Sequence, residues 1–224
     1  MLIPIHGVLD QDQLSSVRKI LDESQFVDGR LSAGVTARKV KNNQEIPQNA
    51  QVLNQLNNIV MNSLFNHPVY QAAVIPHRVA TPFYARYGSG QFYGDHVDDP
   101  IMGPMNGRYR TDVSTTLFLN DPDEYDGGET VIRTHMGDNR VKLAAGDAIT
   151  YPSGSLHHVA EVTRGTRLVA VNWAQSMIRD PAKRELLFEL HKARESLQKK
   201  YPDDDEIVKI DHSYINLVRM WAEI

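Results

Sequence analysis

The sequence predicts a mainly β fold with flanking helices, and three observations predict it. Between about residues 80 and 175, apolar and β-branched residues come in short runs separated by Gly, Asp, Asn and Pro, the pattern of strands joined by turns. Before that stretch, two segments carry apolar residues at helical spacing, and after it two more do the same. A length of 224 residues suits a single core, since sandwiches and barrels of this size commonly form one unit.

Leu14, Val17, Ile20 and Leu21 repeat at helical spacing behind Asp10, and Val52, Leu56, Ile59, Val60 and Leu64 repeat likewise before Pro68. These are read as two amphipathic helices packed on the sheet. Strands follow at FYARY (83–87), VSTTLFL (113–119), ETVIRT (129–134), VKL (141–143), DAITYP (147–152) and RLVAVNW (167–173). The segments GSG, NDPDEYDGGE, AAGD and PSGS supply turns between them, giving an antiparallel barrel or sandwich of double-sheet type. Helix returns after Met177, with Asp180 as N-cap and Pro181 at the first helical position, and with a stripe of Leu186, Leu187, Leu190, Ala193 and Leu197. A last stripe, Ile207, Ile210, Tyr214, Leu217, Val218 and Trp221, follows YPDDDE. Its aspartates suit the positive end of a helix dipole, so they read as a cap and not as a cation site.

Composition narrows the function. With 41% hydrophobic and 23% charged residues the chain is neither disordered nor membrane-spanning, since its apolar runs fall well short of the roughly 20 residues a span requires. A net charge of −4 gives no basic face for nucleic acid. The opening MLIPIHGVLDQDQ has neither a basic leader nor a long apolar core, so no secretory signal is expected and the default location is cytoplasmic. The chain has no cysteine, which excludes disulfides and thiolate-bound metals. Any metal must sit on His, Asp or Glu.

YGDHVDDP, residues 93–100, places His96 and Asp98 one residue apart. On a strand, residues i and i+2 share a face, so an imidazole and a carboxylate would project together. His-x-Asp alone is common on surfaces; a metal centre of two histidines and one carboxylate needs a second histidine from elsewhere. His6 and His67 lie near the N-terminus, His191 and His212 in the C-terminal helical stripes, and His77 and His135 lack a partner pattern. The segment SLHHVAEVTRGTRLVAVNW, 155–173, differs. Arg167 opens an apolar strand ten residues after His157, on a face shared with Val169, Val171 and Trp173. A guanidinium aimed into a barrel is costly unless an anion meets it, and its planar fork suits a carboxylate. Arg110, Thr111 and Asp112 are better explained as a solvated strand end, and Gly127, Gly128 and Gly146 as turns, than as chemistry; Lys142 has no nameable partner in the sequence.

Taken together, RY-x5-YG-x-HVD, RTD-x-S-x-TLFLND, YDGGE, VKL-x-AGD, YPS-x-SLH-x-V-x-x-VTRG-x-R and QSMIRD, with the closing W-x-E-I, resemble the iron(II)- and 2-oxoglutarate-dependent dioxygenases. The resemblance is to the bacterial proteins with a prolyl/lysyl-hydroxylase-type (PKHD) domain, of the PiuC/YbiX-like subgroup linked with iron uptake. It implies a double-stranded β-helix (jelly-roll) core, with residues 1–77 as a helical region integral to the fold, 78–178 as the catalytic domain and 179–224 as a helical extension.

The same resemblance implies Fe2+ held by His96, Asp98 and one histidine of the His157–His158 pair. The family register SLH-x-V places it at His157 and leaves His158 in the variable position. It further implies 2-oxoglutarate as cosubstrate with its distal carboxylate on Arg167, Tyr87 as a hydroxyl donor there, O2 as oxidant and L-ascorbate as an accessory reductant. Because Asp98 occupies the position that halogenating relatives leave to a small residue, hydroxylation of a C–H bond is expected, with succinate and CO2 as coproducts. The substrate is expected to be a small molecule or a peptidyl side chain; amino-acid-like and siderophore-related compounds both fit. Neither nucleic acid nor membrane is an expected partner, and the C-terminal stripes fit packing on the chain's own barrel as well as homo-oligomer formation. Two rival readings are a cupin-like metal-binding protein, with a fourth protein ligand and no role for Arg167, and an interaction module using the barrel as a scaffold.

Overall fold

The turn-punctuated middle of the chain becomes two antiparallel sheets in the computed structural model, which describes residues 1–223. The larger sheet runs in the order Ile3–Ile5, Ala148–Pro152, Val113–Phe118, Arg167–Ser176, Phe83–Tyr87, Gln44–Glu45 and Val27–Asp28, with Pro76–Val79 also paired to Arg167–Ser176. The smaller sheet runs Gly137–Val141, Thr130–Thr134, His157–Val159, Phe92–His96 and Lys41–Asn42. Two small ribbons, Tyr125–Gly127 with Val162–Gly165 and Ile101–Met102 with Tyr109–Arg110, complete the strands. This is the jelly-roll arrangement the sequence predicts.

The Arg167–Ser176 strand shows how the period of two builds the molecule. Val169 and Val171 face a core between the sheets, with Ala85, Tyr87, Phe118, Ile149 and Tyr151 from the larger sheet and Ile132, Val141 and Val159 from the smaller. Leu168, Ala170 and Ala174 face the other way, into a second core that the helices cover. Helix α1 (Gln11–Asp22) begins at a capping box between Asp10 and Gln13 and buries Leu14, Val17 and Leu21; α2 (Val52–Asn66) buries Leu53, Leu56, Val60 and Leu64. Each such side chain contributes about 1.5–3 kcal/mol by leaving water.

Pro68 does more than end α2: it occupies the first turn of a further helix, α3 (Pro68–Val74), where its missing N–H costs nothing. Helix α4 (Pro181–Lys200) starts at the Asp180 cap as expected, yet its buried side chains are Arg184, Leu187 and Phe188. Leu186, assigned to the stripe from the sequence, is exposed. The inward face follows Arg184 at i+3 and i+4, and Leu186 lies well off that line. Helix α5 (Asp205–Trp221) is capped by Asp204 and packs on α4, which in turn packs on α3, so the extension sits against its own barrel. Ile224, the last residue of the closing motif, lies outside the described residues. Among the described residues no helix is long and apolar enough to cross a membrane.

The N-terminal region is less helical than its periodic stripes suggest. Between α1 and α2 the chain adds Val27–Asp28 and Gln44–Glu45 to the larger sheet and Lys41–Asn42 to the smaller, reaching an edge of each.

Candidate functional site

His96 is the last residue of the Phe92–His96 strand, and Asp98 follows just beyond its end. His157 begins the neighbouring strand and stands directly opposite His96 in register. The three side chains offer donor atoms that all lie within 4.8 Å of one another, and Asp98 Oδ1 is 3.8 Å from both Nε2 atoms. Among the described residues no other His, Asp or Glu joins the group, so no fourth ligand of the cupin-like kind closes it.

Both imidazoles are oriented from behind. His96 Nδ1 lies 2.8 Å from the Gly94 carbonyl oxygen, and His157 Nδ1 lies 3.0 Å from that of Ser155. A neutral ring with Nδ1–H donated to a carbonyl keeps its Nε2 lone pair free, the tautomer in which imidazole binds metal. Burial, and then the neighbouring His157, push the His96 pKa well below the ordinary histidine range, which favours that neutral form. Asp98 Oδ2 accepts from Ser114 Oγ at 2.5 Å, and Ser114 is linked to Ser153 Oγ at 2.8 Å. Tyr93 stacks on His96 with centroids 3.6 Å apart, and Tyr151 meets His157 edge-on at 5.1 Å.

His158 projects away from this cluster, to Asp95 at 2.9 Å, as alternation along a strand requires. The remaining histidines also lie elsewhere. His6 pairs with Asp147 at 2.7 Å, His67 Nε2 contacts the His6 carbonyl, and His191 faces Glu195.

The cluster opens into a cavity of about 530 Å³ that Tyr87, Thr130, Arg167 and Trp173 also line. Arg167 is only 1% exposed. It pairs in register with Tyr87, its guanidinium carbon lies 4.9 Å from the centre of that tyrosine ring, and its Nη2 donates to Thr130 Oγ1 at 2.9 Å. Its Nε and Nη1 have no partner among the described residues. A buried cation with unspent donors is expensive unless an anion completes it. Burial raises the Tyr87 pKa to about 12, so its hydroxyl keeps its proton at neutral pH. Gly128, read from sequence as part of a turn, has φ +67°, and a Cβ there would stand 3.1 Å from Arg167 Cδ. The turn therefore also leaves room for the arginine.

Some residues lining the cavity gave no sequence signal. Lys41 and Glu45 form a buried pair at 2.5 Å, Ser32 Oγ bridges both at 2.9 and 2.6 Å, and all three line the cavity. The strand ends and turns set aside from the sequence have structural partners. Arg110 pairs with Asp112 at 2.7 Å, Thr111 Oγ1 donates to the Asp99 carbonyl, and Lys142 Nζ donates to the Tyr125 carbonyl at 2.6 Å.

Two imidazoles and one carboxylate around an otherwise open point are the donor set of non-haem iron oxygenases, and the adjoining, partly unpaired guanidinium suits a dianionic keto acid.

Comparison with known proteins agrees. Residues 82–175 match the 2OG-Fe(II) oxygenase superfamily and residues 181–223 the PKHD-type hydroxylase C-terminal domain. The chain is 48% identical over 224 residues to a PKHD-type hydroxylase of Thioalkalivibrio sulfidiphilus, covering all of both chains. It is 44% identical over 225 residues to the PKHD-type hydroxylase YbiX of Escherichia coli, again at full coverage of both. In fold it is similar to HygX from Streptomyces hygroscopicus, solved with nickel, 2-oxoglutarate and hygromycin B bound, with a TM-score of 0.55 at 12% identity over 79% of this chain and 84% of that one. The chain thus belongs to the PKHD-type hydroxylases of the 2OG-Fe(II) oxygenase superfamily, enzymes that use Fe2+, 2-oxoglutarate and O2.

Proposed function

We propose that His96, Asp98 and His157 hold the iron, that Arg167 receives the distal carboxylate of 2-oxoglutarate, and that the enzyme hydroxylates a C–H bond of a small-molecule or peptidyl substrate. The observation that carries this reading is the opening of three metal donors and a buried, partly unpaired guanidinium into one cavity. Overall, one oxygen atom of O2 enters the substrate C–H bond, the other enters succinate, and CO2 leaves. When bound, the iron supplies the activation of O2.

The chain's own part is to bind, orient and exclude water. Ser114 fixes the Asp98 carboxylate, and the carbonyls of Gly94 and Ser155 fix the two imidazoles. Arg167, with Thr130 and Tyr87 beside it, orients the cosubstrate by its far end. Phe83, Ile101, Met102, Pro104, Tyr109 and Trp173 give the cavity apolar and aromatic surface, which suits the hydrocarbon part of a substrate and keeps the site dry. The subgroup's link with iron uptake supports siderophore-related metabolites, beside prolyl and lysyl peptides, as the first substrate panel, with ascorbate in the assay.

Substrate-independent succinate formation tests the metal assignment. Asp98→Ala and His157→Ala should abolish iron-dependent turnover, whereas His158→Ala should keep it. Wild-type turnover in Asp98→Ala, or loss confined to His158→Ala, contradicts the assignment.

A further inference from the structure

The cavity wall built from residues 32–45 holds an ion pair that the reaction as described does not use. Lys41 and Glu45 are 7% and 8% exposed at the side chain, and burying two charges brings little net stability compared with apolar residues of similar volume. Their surroundings suggest another purpose. Lys41 pairs in register with Tyr93, and its ammonium lies over the tyrosine ring, 5.2 Å from the centroid. The same ring stacks on His96, with 12° between the planes.

A second contact runs alongside the first. Gly94 N–H donates to the Val40 carbonyl at 2.8 Å, and the Gly94 carbonyl accepts from His96 Nδ1. The two strands approach so closely that a Cβ on Gly94 would stand 2.9 Å from Val40 Cβ. Tyr93–Gly94 therefore holds His96 by its ring face and by its Nδ1, and Val40–Lys41 holds Tyr93–Gly94 at both residues. Glu45 and Ser32 engage the ammonium and fix where it sits.

Resting on the iron site read above, we propose that Lys41 is a positioning residue for that site: through Tyr93 it sets the orientation of the His96 imidazole. Removing an outer partner of a metal-binding histidine typically weakens metal affinity by about 10–100-fold.

The test is anaerobic titration of the metal-free full-length protein with Fe(II), followed by addition of 2-oxoglutarate and recording of the visible charge-transfer band. Four proteins are compared: wild type, Lys41→Met, Tyr93→Phe and Tyr93→Leu. Lys41→Met and Tyr93→Leu should bind Fe(II) at least about tenfold more weakly and shift the band, while Tyr93→Phe, which keeps the ring, should match wild type. Lys41→Met with wild-type affinity and an unshifted band overturns the proposal. Should Lys41→Met fail to fold, the tyrosine pair decides, and equal behaviour of Tyr93→Leu and Tyr93→Phe overturns it. A wild-type protein that forms no band fails the iron-site reading itself, a result distinct from either.

Discussion

Ser114→Ala removes one oxygen atom from a fully buried strand position and should be felt at the metal. Ser114 Oγ donates to Asp98 Oδ2 at 2.5 Å and contacts Ser153 Oγ at 2.8 Å; it is the hydrogen-bond donor the structure gives that carboxylate. A hydrogen bond to a charged group is worth about 1.5–3 kcal/mol. If that energy serves to hold Asp98 facing the two Nε2 atoms, its loss converts to roughly 10–150-fold in Fe(II) affinity, at about 1.4 kcal/mol per tenfold. This overlaps the 10–100-fold range typical of partners behind metal ligands. The assay is Fe(II) titration of the metal-free protein under anaerobic conditions, with circular dichroism to confirm that the fold is kept. Affinity within twofold of wild type would mean that Asp98 is held by something other than this hydroxyl.

Two further substitutions separate the cosubstrate site from the scaffold. Gly128→Ala forces a Cβ onto a backbone at φ +67° and within 2.9–3.1 Å of Val162, Tyr125 and Arg167; it should destabilise the fold by about 1–3 kcal/mol and weaken 2-oxoglutarate binding while Fe(II) affinity changes little, as read by the two titrations. Arg184→Met removes a buried guanidinium that donates to the carbonyls of Ile178 and Arg179 at 2.6 and 2.8 Å. It should lower Tm by roughly 4–12 °C, from about 2–3 kcal/mol of lost satisfaction, without altering either ligand affinity.

The sequence carried the candidate site only where one of its residues has a near neighbour or a motif. His96 and Asp98 stand one residue apart and so drew notice as a pair, although Asp98 lies past the end of the strand that carries His96; the SLH register favours His157 over His158, whose side chain lies against Asp95. Arg167 was legible as a cation opening an apolar strand. Ser114 was not, because VSTTLF is buried along its whole length and a hydroxyl in such a run looks like any small core residue. Lys41, Glu45 and Ser32 lie where two-residue strands alternate with short 3-10 turns, too brief to leave a period, and Lys41 meets Tyr93 only by pairing with a strand some fifty residues later. Tyr93 and Tyr151 carry no signal of their own in the sequence, and only their contacts with the histidines, a stack on His96 and an edge on His157, distinguish them. The helices were more legible, with errors at the level of phase, as for Leu186, or of punctuation, as for Pro68.

The most direct test of the iron and 2-oxoglutarate site is an anaerobic titration of the metal-free protein with Fe(II) and 2-oxoglutarate, with Arg167→Ala measured beside it. The weak visible charge-transfer band of a bidentate keto-acid complex should form in the wild type. In Arg167→Ala that band should need at least about 30-fold more 2-oxoglutarate, since truncating one partner of a buried charge pair costs about 2–5 kcal/mol. Iron binding without a band, or a band formed at equal 2-oxoglutarate concentration in both proteins, would contradict that site.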